Sequence, residues 1–317
     1  QGGKFFFKRP LKLPYPVTVA IGEPLPAGTS AAEVRRAVQE LSVETLESRR
    51  RPGYTLATEF ITMAKRRGRH PAIVEHEKDP VSYRRVLIGA LLLRKKLRPM
   101  LEGQTHVGVV LPAGAGGALV NLAIAFLGKV SVNLNFTAGQ DSIRSAIEQT
   151  GLKTVITADV FLKKIRLDLS TVADGLKVVE LPELIQGATT GEKVRAALLA
   201  RMPKRILCHL PDMPQDPEEV ATIVFSSGST GEPKGVMLTH HNLLSNVRSV
   251  SQVFDPRRDD RVVGVLPFFH SFGYAVTIWF PFLNGITVVY HPNPTDVKII
   301  AELIREKRGT IFLSTPT

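Results

Sequence analysis

The segment Ser226-Ser-Gly-Ser-Thr-Gly-Glu-Pro-Lys-Gly235 gathers in one run the groups that chemistry on a phosphate requires. Gly228, Gly231 and Gly235 permit φ > 0 and close backbone approach. The hydroxyls of Ser226, Ser227, Ser229 and Thr230 are donors, and Lys234 is a cation, so the run can cradle phosphate oxygens. Polyphosphate binding is therefore expected. It is not a Walker A loop: Pro233 stands where that motif needs Gly, and Gly235 follows the lysine where Ser or Thr is required. A P-loop kinase or ATPase is disfavoured. Composition alone would also suit a flexible Ser/Gly surface turn.

Downstream, Leu266-Pro-Phe-Phe-His-Ser-Phe-Gly273 sets His270 among aromatic residues, where an isolated histidine would more often be a satisfied core residue. His240 and His241, after Thr239 at a predicted helix start, read as cap or surface residues with no assigned role. His291 and Asp296 have an H-x-x-x-x-D spacing in which a histidine could act as general base on a hydroxyl. Pro292 and Pro294 and the preceding strand make the run a strand-to-helix turn instead, with Asp296 near the cap.

The elements that must position these residues alternate. Strands are predicted at His106–Leu111, Val130–Leu134, Thr154–Thr157, Lys177–Leu181, Ala221–Phe225, Arg261–Leu266, Thr287–Tyr290 and Thr310–Leu313. Helices fill the gaps at about 83–98, 116–127, 140–149, 239–253 and 296–307. Apolar strands separated by helices give an α/β fold of mainly parallel sheets flanked by helices. Before them, Pro16–Pro26 reads as a short strand. Ser30-Ala-Ala-Glu33 then has capping-box spacing for a helix to about Glu47. The charged run ending in Pro52-Gly53 is the best linker, which divides the chain into 1–48, 49–54 and 55–317. Arg205–Glu219, with prolines at 211, 214 and 217, reads as a surface connection. Val107–Gly128 and Val262–Tyr290 carry little charge, but prolines and glycines interrupt both, so they read as strand, turn and buried helix rather than membrane spans.

Hydrophobic residues at 44% and charged residues at 22% exclude a disordered or collagen-like chain. Cys208 is the single cysteine, so no internal disulfide forms, and no Cys/His cluster has zinc spacing. A reducing compartment is the simplest reading. Of the net charge of +12, residues 1–100 contribute 20 Lys/Arg against 9 Asp/Glu, and the remainder is nearly balanced. Such a basic third suits an acidic partner, an anionic lipid surface or a solvated face. No nucleic-acid motif and no basic stripe interleaved with aromatics is present, so nucleic acid is not an expected partner.

The Ser226–Gly235 run resembles the nucleotide-phosphate signature [ST]-[ST]-G-[ST]-T-G-x-P-K-G of the adenylate-forming superfamily of acyl-CoA synthetases, luciferases and peptide-synthetase adenylation domains. Pro267–Gly273 is similar to that superfamily's P-[LF]-F-H-x-x-G motif, at the junction of its acyl and nucleotide pockets. The resemblance implies ATP and Mg2+ as cofactors. It implies phosphate-binding roles for Ser226, Ser227, Gly228, Ser229, Thr230, Gly231, Lys234 and Gly235, with Thr230, Lys234 and His270 catalytic. Phe268, Phe269, His270 and Gly273 would line the acyl pocket.

Leu127–Gly139 and Thr287–Asp296 narrow the likeness to the synthetase half of the bifunctional 2-acylglycerophosphoethanolamine acyltransferase/acyl-[acyl-carrier-protein] synthetase family. Residues 16–48 are similar to the end of that family's acyltransferase domain. Implied are a fatty acid substrate, acyl carrier protein as acceptor, a lysophospholipid as final acyl acceptor, and placement at the cytoplasmic face of the inner membrane. The resemblance also implies that the sequence is a piece cut at both ends. The acyltransferase site would precede Gln1, and the adenine motif, ribose-binding Asp and catalytic C-terminal domain would follow Thr317, leaving the piece inactive alone. The alternatives are an acyl-CoA synthetase that uses CoA and a non-catalytic nucleotide-binding module.

Overall fold

A computed structural model describes residues 18–48, 50–226 and 233–313. The chain divides into two compact units, one ending at Arg50 and the other beginning at Arg51. In the first, helix α1 (Ala31–Glu47) starts as its capping box dictates: Glu33 N–H donates to Ser30 Oγ at 3.3 Å, and Ser30 N–H donates to Glu33 Oε2 at 2.9 Å. Of the strand expected over Pro16–Pro26, residues 16 and 17 lie outside the described residues, and 18–26 form no strand among the described residues, which corrects that part of the reading.

The second unit runs α2 (Leu56–Arg66), β1 (Pro71–Glu75), β2 (Val81–Ser82), α3 (Tyr83–Leu97), β3 (His106–Val110), α4 (Ala115–Ala125), β4 (Val130–Asn133), α5 (Gln140–Thr150) and β5 (Thr154–Thr157). It continues through α6 (Asp159–Ile165), β6 (Lys177–Glu180), α7 (Leu181–Gln186), α8 (Thr190–Leu199), α9 (Lys204–Cys208), β7 (Val220–Ser226), β8 (Lys234–Thr239) and α10 (His240–Phe254). Then follow β9 (Arg261–Gly264), α11 (Ser271–Tyr274), a π-helical turn (Ala275–Trp279), α12 (Phe280–Asn284), β10 (Thr287–Tyr290), α13 (Val297–Glu306) and β11 (Ile311–Phe312).

Among the described residues these strands form two sheets, ordered β11-β9-β10-β1-β2 and β6-β5-β3-β4-β7-β8. Pairing is parallel except for β2 and β8, each an antiparallel edge strand. Every strand predicted beyond residue 100 is present. The largest core joins Leu56, Phe60, Tyr83, Phe126, Leu243, Trp279 and Val288 from helices and strands of both halves of this unit. Tyr83 Oη donates within it to the carbonyls of Pro281 and Ile286, at 2.8 and 2.7 Å.

Helix α2 escaped the sequence reading because its capping box uses Thr58, not Glu or Gln, opposite Thr55. The 205–219 stretch is a correction. Helix α9 buries Leu207 and Cys208, Met213 is buried too, and Arg94 reaches across to the Pro211 carbonyl. Leu207, Cys208 and Met213 join the core, while most of the residues around them stay at the surface. No helix among the described residues is long and apolar enough to cross a membrane.

Candidate functional site

Strand β7 is built for burial. Ala221, Thr222, Ile223 and Val224 are enclosed, and Thr222 and Ile223 pair in parallel with Ser131 and Val132 of β4. At its carboxyl end the chain leaves the sheet and returns antiparallel as β8, with Ser226 opposite Lys234 and Phe225 opposite Gly235. This return was not expected from the sequence, which places only a helix after the loop. Ser227, Gly228, Ser229, Thr230 and Gly231 lie outside the described residues. Of the predicted phosphate-binding set the structure places Ser226, Lys234 and Gly235.

Ser226 Oγ donates to the Lys234 carbonyl at 3.4 Å, and Gln149 Nε2 of α5 donates to the Pro233 carbonyl at 2.9 Å, so the loop's two stems are held. A Cβ at Gly235 would stand 3.0 Å from Ile223 and 3.1 Å from the Phe225 ring, which explains glycine there by packing. Lys234 is exposed at the mouth of this ribbon and makes no ion pair among the described residues.

The second motif begins where β9 ends. Phe268 is buried with its ring 5.8 Å from that of Tyr290, and it lies against Gly117 of α4, where a Cβ would approach it to 2.9 Å. Phe269 is buried edge-on to Phe136 at 4.8 Å, and Phe136 meets Phe161 the same way at 5.0 Å. Phe136 follows β4, so this aromatic row brings the carboxyl ends of β4 and β9 together, and β7 lies beside β4. Ligand sites in parallel sheets form outside such ends.

His270 is exposed, its ring 4.6 Å from Phe269, and partial desolvation on that side lowers its pKa below the ordinary 6.5. That shift favours the neutral imidazole. Gly273 is required by space: a Cβ there would stand 2.1 Å from the Pro267 carbonyl oxygen.

One buried network, which the sequence did not disclose, ties the two motifs. Tyr274 Oη lies 3.0 Å from Ser131 Oγ, Ser131 Oγ donates to Thr222 Oγ1 at 3.1 Å, and Thr222 Oγ1 donates to the Ser131 carbonyl at 2.7 Å. Tyr274 is one helical turn beyond His270, and Thr222 is in the strand that delivers Ser226. Beside it, Asn121 and Asn133 exchange hydrogen bonds of 3.0 and 2.9 Å at the end of β4. The π-helical turn after Tyr274 is pinned by Tyr290 Oη, which donates to the Thr277 carbonyl at 2.7 Å. Hydroxyls in strands give no sequence signal of a partner on another element.

The other histidines take different places. His240 and His241 are buried, which corrects the surface reading. Thr239 caps α10 through Asn242, while His240 Nδ1 accepts from Leu56 N–H at 3.4 Å. Burial lowers the His240 pKa to about 4. His291 Nε2 sits 2.8 Å from Asp296 Oδ2, and Asn293 Nδ2 donates to Asp296 Oδ1 at 2.8 Å. Asp296 holds the cap position of α13, but its carboxylate closes this turn and does not cap the helix. Among the described residues no group of three or more His, Cys, Asp or Glu side chains is assembled for a metal ion.

Known proteins share this fold and family. The family model described as AMP-binding enzyme matches residues 60–317. Long-chain-fatty-acid–CoA ligase 5 of Rattus norvegicus is 27% identical over 250 residues, covering 74% of this chain and 35% of that protein. The long-chain-fatty-acid–CoA ligase of Bacillus subtilis is 24% identical over 239 residues, covering 68% and 42%. The chain thus spans well under half the length of these relatives. Among solved structures, O-succinylbenzoate coenzyme A synthetase of Bacillus subtilis in complex with AMP superposes with a TM-score of 0.66 at 19% identity, over 83% of this chain and 61% of that one. The Klebsiella oxytoca NpsA N-terminal subdomain gives 0.65 at 18% identity, over 81% and 59%. The fold is that of these enzymes' N-terminal region, and with the family model matching most of its length, the chain belongs to the AMP-binding enzyme family.

Proposed function

We propose that this chain carries the nucleotide- and acyl-binding half of an adenylate-forming ligase that activates a fatty acid with ATP. The observation that carries the reading is the Tyr274–Ser131–Thr222 network, which joins the strand of the phosphate loop to the aromatic turn bearing His270. A carboxylate is a poor acyl donor because oxide would have to leave. In the proposed reaction a carboxylate oxygen attacks the α-phosphorus of ATP, the bond to the β-phosphate oxygen breaks, and pyrophosphate leaves, giving acyl-AMP. Fixed donors stabilise the charge that grows on the phosphate oxygens.

In this reading Lys234 and the hydroxyls of Ser226, Ser227, Ser229 and Thr230 hold the phosphates, with the amides around Gly228 and Gly231. Gly235 locks the returning strand. Phe268, Phe269, His270 and Gly273 shape the acyl side, where a neutral His270 can donate or accept a hydrogen bond without adding charge. Mg2+ is proposed to accompany ATP.

A thiol then attacks the acyl carbon, AMP leaves, and the thiol proton passes to solvent. Acyl carrier protein is the acceptor we favour, on the likeness of residues 16–48 to an acyltransferase end. On the same ground we propose 49–54 as a linker, 55–317 as part of the adenylation domain, transfer onward to a lysophospholipid, and a place at the cytoplasmic face of the inner membrane. The fatty-acid–CoA ligase relatives favour CoA instead.

Product analysis tests the reading: the complete protein given fatty acid, ATP and Mg2+ is expected to release AMP and pyrophosphate. ADP and phosphate, or no turnover, would refute it. Adding CoA or acyl carrier protein separately identifies the acceptor by the thioester formed.

A further inference from the structure

At the end of the β11-β9-β10-β1-β2 sheet where β1, β9 and β10 begin, away from the candidate site at the carboxyl ends, cationic groups from separate elements lie near enough to act on one another's charge. Arg66 and Arg67 close α2, His70 precedes β1, Arg258 lies in the turn after α10, and Arg261 opens β9. Buried polar atoms are normally paired. Here Arg67 Nε and His70 Nε2 are both buried with no hydrogen-bond partner among the described residues.

The described residues around them offer none. Beside Arg67 lie Met63 and Gly285, where a Cβ would stand 2.6 Å from Met63 Sδ and 3.1 Å from Arg67 Nε. The Tyr83 ring stacks on His70 at 6.4 Å, but its hydroxyl is committed to Pro281 and Ile286. The Asp260 carboxylate accepts from Arg257 N–H at 2.6 Å and Thr310 Oγ1 at 2.7 Å. Arg261 spends Nη1 on the Lys307 carbonyl at 2.8 Å. Burial, then Arg258 and Arg66, lower the Arg67 pKa. Burial, then Arg67, Arg258 and Arg261, lower that of His70, so these charges oppose one another.

Guanidinium groups with no ion pair among the described residues, beside the orphaned Arg67 Nε donor and a His70 Nε2 that donates when it carries the proton, are the complement of a tetrahedral oxyanion, which arginine can bind through two parallel hydrogen bonds. We propose that Arg67, His70 and Arg258 form a binding site for a phosphate-type oxyanion, distinct from the Ser226–Gly235 loop, with Arg66 and Arg261 adding charge. The same chemistry serves a soluble phosphate and a phospholipid headgroup.

The test uses the whole 317-residue chain carrying Lys234→Ala, so that the loop contributes little. In one arm inorganic phosphate is titrated against chloride at constant ionic strength, following the His70 ring resonances and Tm. In the other, the protein is sedimented with phosphatidylcholine vesicles with and without phosphatidylglycerol. The site predicts a saturable phosphate response that raises the His70 pKa and weakens about tenfold or more in Arg67→Gln and Arg258→Gln. Arg258 is exposed, so its variant reports even if Arg67→Gln fails to fold. Binding only to phosphatidylglycerol vesicles, lost in Arg258→Gln, also supports the site and makes the ligand a headgroup. No response to either probe, or one unchanged in Arg258→Gln, overturns the proposal.

Discussion

Replacing Gly273 with alanine asks whether the turn bearing His270 is held where the chemistry needs it. The new Cβ would stand 2.1 Å from the Pro267 carbonyl oxygen, 3.0 Å from Pro267 C and 3.2 Å from Leu266 C. A carbon–oxygen contact settles at about 3.3 Å or more, so backbone rather than a side-chain tip must yield by about 1 Å. Overpacking of this kind costs about 1–3 kcal/mol. A unit of this size loses about 2–4 °C of Tm per kcal/mol, giving a fall of about 2–12 °C. A displacement of about 1 Å at a reacting centre lowers turnover about a hundredfold.

The complete protein and its Gly273→Ala variant would be compared by calorimetry and by fatty-acid-dependent AMP release, below both melting temperatures. Gly191→Ala is the control, since its nearest neighbour would be Thr189 Oγ1 at 3.9 Å, and its Tm is expected to hold or rise. Activity in Gly273→Ala within about twofold of the parent, with unchanged Tm, would refute the claim that this contact positions the turn.

Tyr274→Phe removes one buried hydrogen bond and is expected to cost about 1 kcal/mol. In a double-mutant cycle with Thr222→Val, chemical denaturation should show coupling of about 0.5 kcal/mol or more, whereas strict additivity would mean that the network does not act as a unit. His240 is neutral and buried, with a folded pKa of about 4 against an ordinary 6.5. The unfolded chain binds the extra proton first, so this stability is complete above pH 6.5 and is lost as pH falls toward 4, by about 3 kcal/mol in all. Urea titrations of the parent and His240→Asn across that window should differ in slope, and parallel curves would contradict the assignment. Burial raises the Cys208 thiol pKa, so iodoacetamide should label it only as fast as the protein opens. Labelling at the rate of a free thiol in the native protein would count against that burial.

What the sequence discloses here follows from how local each signal is. Strand β7 and the Ser226–Gly235 run are legible because strand, glycines, hydroxyls and lysine are contiguous. Phe268, Phe269, His270 and Gly273 are legible for the same reason, although the motif gives no hint that Gly273 is dictated by the Pro267 carbonyl. Strand β8 is not legible, because Val236 and Met237 are adjacent apolar residues that both stay exposed and break the expected alternation. Nor is the Ser131–Thr222 hydrogen bond, whose partners are 91 residues apart and look like ordinary strand hydroxyls. His240 illustrates a third case. Its place in the first turn of α10 is readable from Thr239, but the burial of that turn depends on α2, whose start rests on an unorthodox threonine pair.

Exchange of radiolabelled pyrophosphate into ATP, run on the complete protein with and without fatty acid, tests the central claim most directly because it reads adenylate formation without any acceptor. Exchange that requires fatty acid and falls by about a hundredfold or more in Lys234→Ala and Thr230→Ala is the expected result. Absence of exchange from folded protein with any fatty acid, or full exchange in both variants, would contradict the assignment of adenylate chemistry to this site.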